Sequence, residues 1–162
     1  MKKLYLEQKI FKIEDHYEIF DENESPVYNV DEEFRFLKKY FEITNNKTGE
    51  VTTIEKQISF FLPEYNVTFP NKKKITLQKQ LAFFKKSIYV LPCSENIRIE
   101  GDVFFLDFQI LKDEELIGYI EKGFFRLRDC YTLNIVNEEF EELIVATMIA
   151  VDNIKDLEQA NQ

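Results

Sequence analysis

The chain is poor in the residues on which most catalytic and ligand-cradling motifs depend. It has one histidine, two cysteines, four glycines and four prolines among 162 residues. A Ser-His-Asp or Cys-His relay would have to use His16, the lone imidazole. That residue stands beside a predicted strand start, where a histidine is ordinarily part of the surface. Gly49, Gly101, Gly118 and Gly123 are scattered and cannot make a phosphate-cradling loop. No P-loop, dinucleotide-fold, nucleophile-elbow or zinc-helix pattern occurs. Cys93 and Cys130 show neither CxxC nor metal-finger spacing, so both are expected to be small buried hydrophobes. No catalytic residue, cofactor or metal is expected, and the chain is not read as an enzyme.

Long apolar runs are also missing. The most apolar segment, residues 143–151, has nine residues, whereas a membrane-spanning helix needs about 20. The chain is therefore not expected to be transmembrane. Positive charge is in deficit, with 21 Lys and Arg against 30 Asp and Glu and a net charge of −9. This disfavours nucleic acid, whose phosphates call for a basic surface, and non-specific adsorption to anionic membranes. The opening Met1-Lys2-Lys3-Leu4-Tyr5-Leu6-Glu7 becomes charged at once and has no signal-like apolar region. A cytoplasmic protein with free thiols is the expectation.

What the chain does have is organised around its C-terminal part. Residues 143–151 are apolar on every side, with four glutamates before them and Asp152, Lys155 and Asp156 after. Asn137 suits an N-cap, and glutamates in a first turn suit the positive end of the helix dipole. A helix over about 138–156 is predicted. A helix apolar all round must be buried, so it needs protein wrapped around it. Ala146 and Ala150 share one face and would let a backbone come close.

Before residue 138 the chain reads as short strands. Sixteen Phe and eight Tyr with few Gly and Pro suit an aromatic-packed β domain. Ile75, Leu77, Leu81 and Phe83 alternate with Thr76, Gln78 and Gln80, and Ile54, Ile58 and Phe60 alternate with Glu55, Gln57 and Ser59. A longer period lies above this, anchored at Tyr17, Tyr40, Tyr65 and Tyr89 and again from Phe108 to Tyr131. Each unit reads as two strands and two turns, so ten to twelve strands are expected. Such a meander loses its edges best by closing, and a ring of this size is too wide for its own side chains to fill. The expectation is one domain over residues 1–162: a closed antiparallel barrel of about twelve strands around the buried C-terminal helix.

Several phrases in this order also resemble the LURP-one-related family. They are Leu4-Tyr5-Leu6-Glu7-Gln8-Lys9, Pro26-Val27-Tyr28-Asn29-Val30, Leu62-Pro63-Glu64-Tyr65, Ile99-Glu100-Gly101-Asp102, Phe125 to Tyr131 ending Asp129-Cys130-Tyr131, and the closing apolar helix that ends Ala150-Val151-Asp152. The resemblance implies the tubby C-terminal fold, twelve strands around a central helix. Its remoter fold relatives act at membranes, and the family has no established activity, so the likeness carries no function by itself.

The acidic clusters at residues 21–24, 31–33 and 113–115 lack the spacing of a calcium loop and read as solvated turns. In a meander, alternate turns fall at opposite ends. One end would collect five positive and seven negative charges, including Lys72, Lys73 and Lys74. The other would collect Lys38, Lys39, Lys85, Lys86, Arg126 and Arg128 against Glu64 and Asp129, a net of +4. That second end is the expected face for an anionic partner such as a lipid headgroup. A protein partner is the other expectation. A carrier of a small apolar ligand is the alternative, opposed by a helix that would occupy the ligand's place.

Overall fold

The computed structural model describes residues 1–7, 16–35, 38–58, 63–79, 88–91, 96–102, 106–125 and 128–160. Among the described residues twelve strands precede one α-helix. They are β1 (Lys2–Glu7), β2 (His16–Phe20), β3 (Pro26–Arg35), β4 (Lys38–Asn45), β5 (Val51–Lys56) and β6 (Glu64–Thr68), then β7 (Lys74–Lys79), β8 (Ile88–Leu91), β9 (Ile97–Asp102), β10 (Asp107–Lys112), β11 (Glu115–Phe125) and β12 (Arg128–Ile135). A 3-10 turn, Glu138–Phe140, leads into α1 (Glu141–Ala160).

Alternation explains the strands. Tyr17 and Ile19, Phe41 and Ile43, Tyr65 and Val67, Ile75 and Leu77, and Phe108 and Ile110 are buried in pairs two residues apart. Each pair puts one face of its strand into a common core. Every strand pairs antiparallel with its neighbour in sequence, and β1 also pairs with β12, so the hydrogen-bonded order returns to its start as a barrel.

The joints between strands are unequal. β3 and β4 share eight residue pairs, as do β11 and β12. Among the described residues, the β1–β2 joint consists of Tyr5↔Phe20 and Leu6↔Ile19 alone. The β8–β9 joint consists of Ile88↔Ile99 and Tyr89↔Arg98. A repeat read from sequence treats every joint as equal, yet β2 shares five residue pairs with β3 and β8 four with β7, so the inequality lies between the two sides of one strand.

Other details of the repeat also shift. Tyr17 and Tyr65 are buried, but Tyr40 is only half-buried and out of phase with Phe41 and Ile43, with the Arg35 guanidinium 3.8 Å from its ring centroid. The tyrosine anchors are therefore not equivalent positions. Ile58 lies beyond β5 and is 58% exposed, because the strand ends at Lys56. Leu81, Phe83, Phe60 and residues 126–127 lie outside the described residues, whereas Tyr131 is buried in β12. Residues 31–33 belong to β3 and are no turn.

Turn chemistry sets the hairpins. Asp21 Oδ1 accepts from the backbone N–H groups of Asn23 (2.8 Å) and Ser25 (2.9 Å). These hydrogen bonds hold its carboxyl below the usual range. Asp113 and Glu114 both have positive φ, 50° and 69°, as a two-residue hairpin turn requires.

The helix begins later and ends later than 138–156. Asn137 Oδ1 accepts from the Glu139 backbone N–H at 3.0 Å, and this cap serves the 3-10 turn ahead of α1. Residues 143–151 are all buried, and all but Thr147 join one hydrophobic cluster with the inner faces of the strands. Gly118 on β11 lies close against α1. A Cβ there would stand 2.5 Å from Ile144 Cδ1 and 3.0 Å from the Asn134 carbonyl oxygen. No described helix is long and apolar enough to cross a membrane.

Candidate functional site: the charged mouth around the end of the helix

Successive antiparallel strands send alternate connections to opposite ends of the ring. β12 ends where α1 starts, together with the turns at residues 21–25, 46–50, 69–73 and 113–114. At the other end α1 finishes, β3, β5 and β11 end, and β4, β6 and β12 begin.

At this helix-exit end, strand phase divides neighbouring charges between two faces. Lys38 is in phase with outward residues, and its Nζ donates to Glu55 Oε1 at 2.7 Å. Lys39 is in phase with buried Phe41 and Ile43 and pairs with Glu32 Oε1 at 2.5 Å. Glu32 in turn continues the phase of buried Tyr28 and Val30. Lys56 continues the phase of buried Thr52 and Ile54. Partial burial, and then the nearby Lys39 ammonium, lower its pKa. Among the described residues Lys56 has no carboxylate partner.

The end of α1 meets these groups from inside. Tyr65 donates its hydroxyl hydrogen to Asn153 Oδ1 at 2.7 Å, with both residues buried. Lys155 Nζ donates to the Tyr131 hydroxyl at 3.0 Å and lies 5.4 Å from that ring's centroid. Burial raises all three inner phenols, and Asp152, Glu32 and Asp156 add to the rise at Tyr17. Burial also pushes the Asp152 carboxyl up to about 7, with Asp156 and Glu32 adding to the shift and Lys155 and Lys39 opposing it. The mouth thus holds Glu32, Lys39 and Lys56 from the strands, Asp152, Lys155 and Asp156 from the helix, and three tyrosines between them.

Of the six basic residues read from sequence, Lys38 and Lys39 come to this end, both in ion pairs. Arg128 is the first residue of β12, in register with Phe125. Lys85, Lys86 and Arg126 lie outside the described residues, as does Cys93. Counting turn residues alone missed Glu32, Glu55, Asp152 and Asp156, which bring negative charge to the same end. The phase of Glu32 with Tyr28 and Val30 was the available signal. Nothing in the sequence indicated that Asp152 would feel charges carried by β3 and β4. His16 Nδ1 lies 2.7 Å from Asp31 Oδ1, both about half exposed, so the histidine sits in a surface pair. Cys130 is buried.

The helix-start end is built differently. Lys2 Nζ donates to both oxygens of Glu141 (2.7 and 2.8 Å), and the Tyr28 hydroxyl donates to Glu141 Oε1 at 3.0 Å. One carboxylate thereby joins β1, β3 and the start of α1. A recess of about 130 Å³ opens nearby, lined by Phe69, Lys73, Ile97, Phe140, Glu142 and Leu143 among others. Burial raises the Glu142 carboxyl, helped by Glu50 and Glu141.

A continuous antiparallel meander with an apolar helix running through it and charged groups at its mouth defines a mainly β scaffold class built around its C-terminal helix. Within that class the chain belongs to the LURP-one-related family, whose model matches residues 2–152. It is similar to the uncharacterized protein YxjI of Bacillus subtilis (strain 168), with 26% identity over 151 residues, covering 93% of this chain and 91% of the relative. No solved structure matches it.

Proposed function

We propose that this is a non-enzymatic, cytoplasmic binding protein whose helix-exit end takes an anionic lipid headgroup. Lys56 carries the reading. It is an ammonium on the inner phase of the mouth, partly desolvated, beside a second ammonium and without a carboxylate partner among the described residues. A bound anion would relieve both the desolvation and the repulsion from Lys39. Lys38 and Lys39 already have carboxylate partners, so the face works by local pairing rather than by bulk charge. That suits a chain of net charge −9.

A protein partner is the second reading. Phe124, 80% exposed near the end of β11, and Ile58, just beyond β5, put large apolar side chains on the same end of the ring. Aromatic side chains on a polar rim are common anchors of protein interfaces. The carrier alternative finds little room, because the side chains of α1 pack into the core that a ligand would need.

Vesicle co-sedimentation separates these readings. Binding to phosphatidylserine- or phosphoinositide-bearing vesicles but not to neutral ones is expected, weakened by near-physiological salt and lost in Lys56→Glu. Equal binding by Lys56→Glu would remove the headgroup reading. An absence of binding to every vesicle would also remove it and leave the protein partner, for which Phe124→Ser is the first variant to test.

A further inference from the structure

We infer that the recess at the helix-start end is a binding site for a compact alkylammonium group, with Glu142 as its counter-ion. It lies at the opposite end of the ring from Lys56 and stands independently of the headgroup reading. The recess measures about 130 Å³. Its floor is apolar and is drawn from separate parts of the chain: Phe69 after β6, Ile75 of β7, Ile97 of β9 and Leu143 of α1, all buried. Phe140, half-buried, adds a second aromatic ring to the lining. Glu139 and Glu142 supply carboxylates and Lys73 an ammonium.

Hydrogen bonds fix the walls. In the turn at residues 69–73 the Phe69 N–H donates to the Lys73 carbonyl and the Lys72 N–H to the Phe69 carbonyl, each at 2.9 Å. The Lys73 N–H donates to Asn71 Oδ1 at 2.9 Å. At the start of the helix, Asn137 Oδ1 accepts from the Glu139 N–H at 3.0 Å and the Asn137 carbonyl from the Phe140 N–H at 3.1 Å. The recess is thus formed before any ligand arrives, as small-ligand sites usually are.

Glu142 gives the recess its preference. It is partly buried on the lining. Lys2 is committed to Glu141 and Lys112 to Asp113, each at 2.7 Å. Among the described residues no hydrogen bond or ion pair reaches the Glu142 carboxyl. Its neighbours Glu50 and Glu141 repel its charge and burial adds to the cost. A cation from outside would relieve both.

The floor selects the kind of cation. A metal ion such as calcium calls for oxygen ligands on most sides, whereas this floor offers hydrocarbon. An anion would meet two carboxylates against one ammonium. An alkylammonium group suits both parts, with its chain on the floor and its N–H groups donating to Glu142. Aromatic rings favour such a charge within about 6 Å, and Phe140 already has Lys112 Nζ 5.8 Å from its centroid. A cavity of about 150 Å³ admits benzene, so this one has room for a chain of about four carbons. A free amine and a lysine side chain of a partner protein both carry this chemistry.

Amide NMR on the full chain tests the site, with n-butylammonium chloride as the probe near neutral pH. Saturable shifts are expected at Phe69, Ile75, Ile97 and Leu143, in the millimolar range suited to so small a ligand. Glu142→Gln should weaken binding by roughly tenfold to a hundredfold, the worth of a hydrogen bond to a charged group. Glu33→Gln removes the same charge from the exposed pair with Arg35 and should bind as the wild type does. 1-Butanol keeps the chain without the charge and should bind at least about tenfold more weakly. Equal binding of butanol and butylammonium would overturn the counter-ion role, on wild-type protein and free of any folding defect in a variant. Unchanged affinity in Glu142→Gln, or no saturable shift at the recess, would overturn the site. Nα-acetyl-lysine methylamide separates the sources. Binding as tight as that of butylammonium supports a partner's lysine, and binding of butylammonium alone supports a free amine.

Discussion

At the scale of single residues, closeness rather than charge decides how helix and ring fit. Gly118 lies where β11 runs against α1, and its missing Cβ is what leaves room for Ile144. Gly118→Ala should destabilise the protein by about 1–3 kcal/mol through overpacking, read as a lower urea midpoint. Ile144→Val removes the δ-methyl group that the new Cβ would strike. The double variant should therefore lose less than the sum of the two single variants. An additive result would show that the strain falls on the Asn134 carbonyl instead. Polar residues are subject to the same control by position. Lys38 and Lys39 are adjacent in sequence, yet Lys38 meets outward Glu55 and Lys39 meets Glu32 on the inner phase. The sequence displays two lysines; only the pleat gives them separate environments.

At the scale of elements, α1 is held by burial along its middle and by polar contacts at its ends. Its apolar run was legible because no ordinary surface helix lacks a polar face. Ile149 is 1% exposed, so Ile149→Asp would place a charge in the core without a partner. That variant should show no cooperative unfolding transition by circular dichroism. A soluble variant with a native-like transition would show that the helix does not hold the ring together. The ends of α1 were less legible. Glu141 and the cap residue Asn137 lie in the expected region, but the bonds from Lys2 and Tyr28 to Glu141 span 139 and 113 residues. No local pattern encodes contacts at such separations.

At the scale of the whole molecule, the ring is a chain of unequal joints. β11–β12 and β3–β4 are long ladders, while β1–β2 and β8–β9 have two described pairs each. Local opening follows the number of hydrogen bonds and buried contacts that must break. In hydrogen exchange, the amides of β2 and β8 should exchange before those of β12 under the same conditions. Uniform protection around the ring would show that α1, and not the ladders, sets local stability. The placement of charge is also a whole-molecule property. Counting the turns sorts the basic residues to one end, but the carboxylates of Glu32, Asp152 and Asp156 reach that same end from inside the ring. The mouth is consequently mixed in charge, and Lys56 stands out there because its neighbours are paired.

The sequence alone determined the mainly β character, the antiparallel meander and the buried C-terminal helix, because these rest on period-two alternation and on one segment too apolar to face water. It also carried the family resemblance in the order of its short phrases. The tertiary structure decided which joints are long and which are short, and which carboxylates the described lysines meet. Those outcomes depend on which side chains meet across strands and helix, and distances between residues far apart in the chain arise only when the ring is assembled around α1.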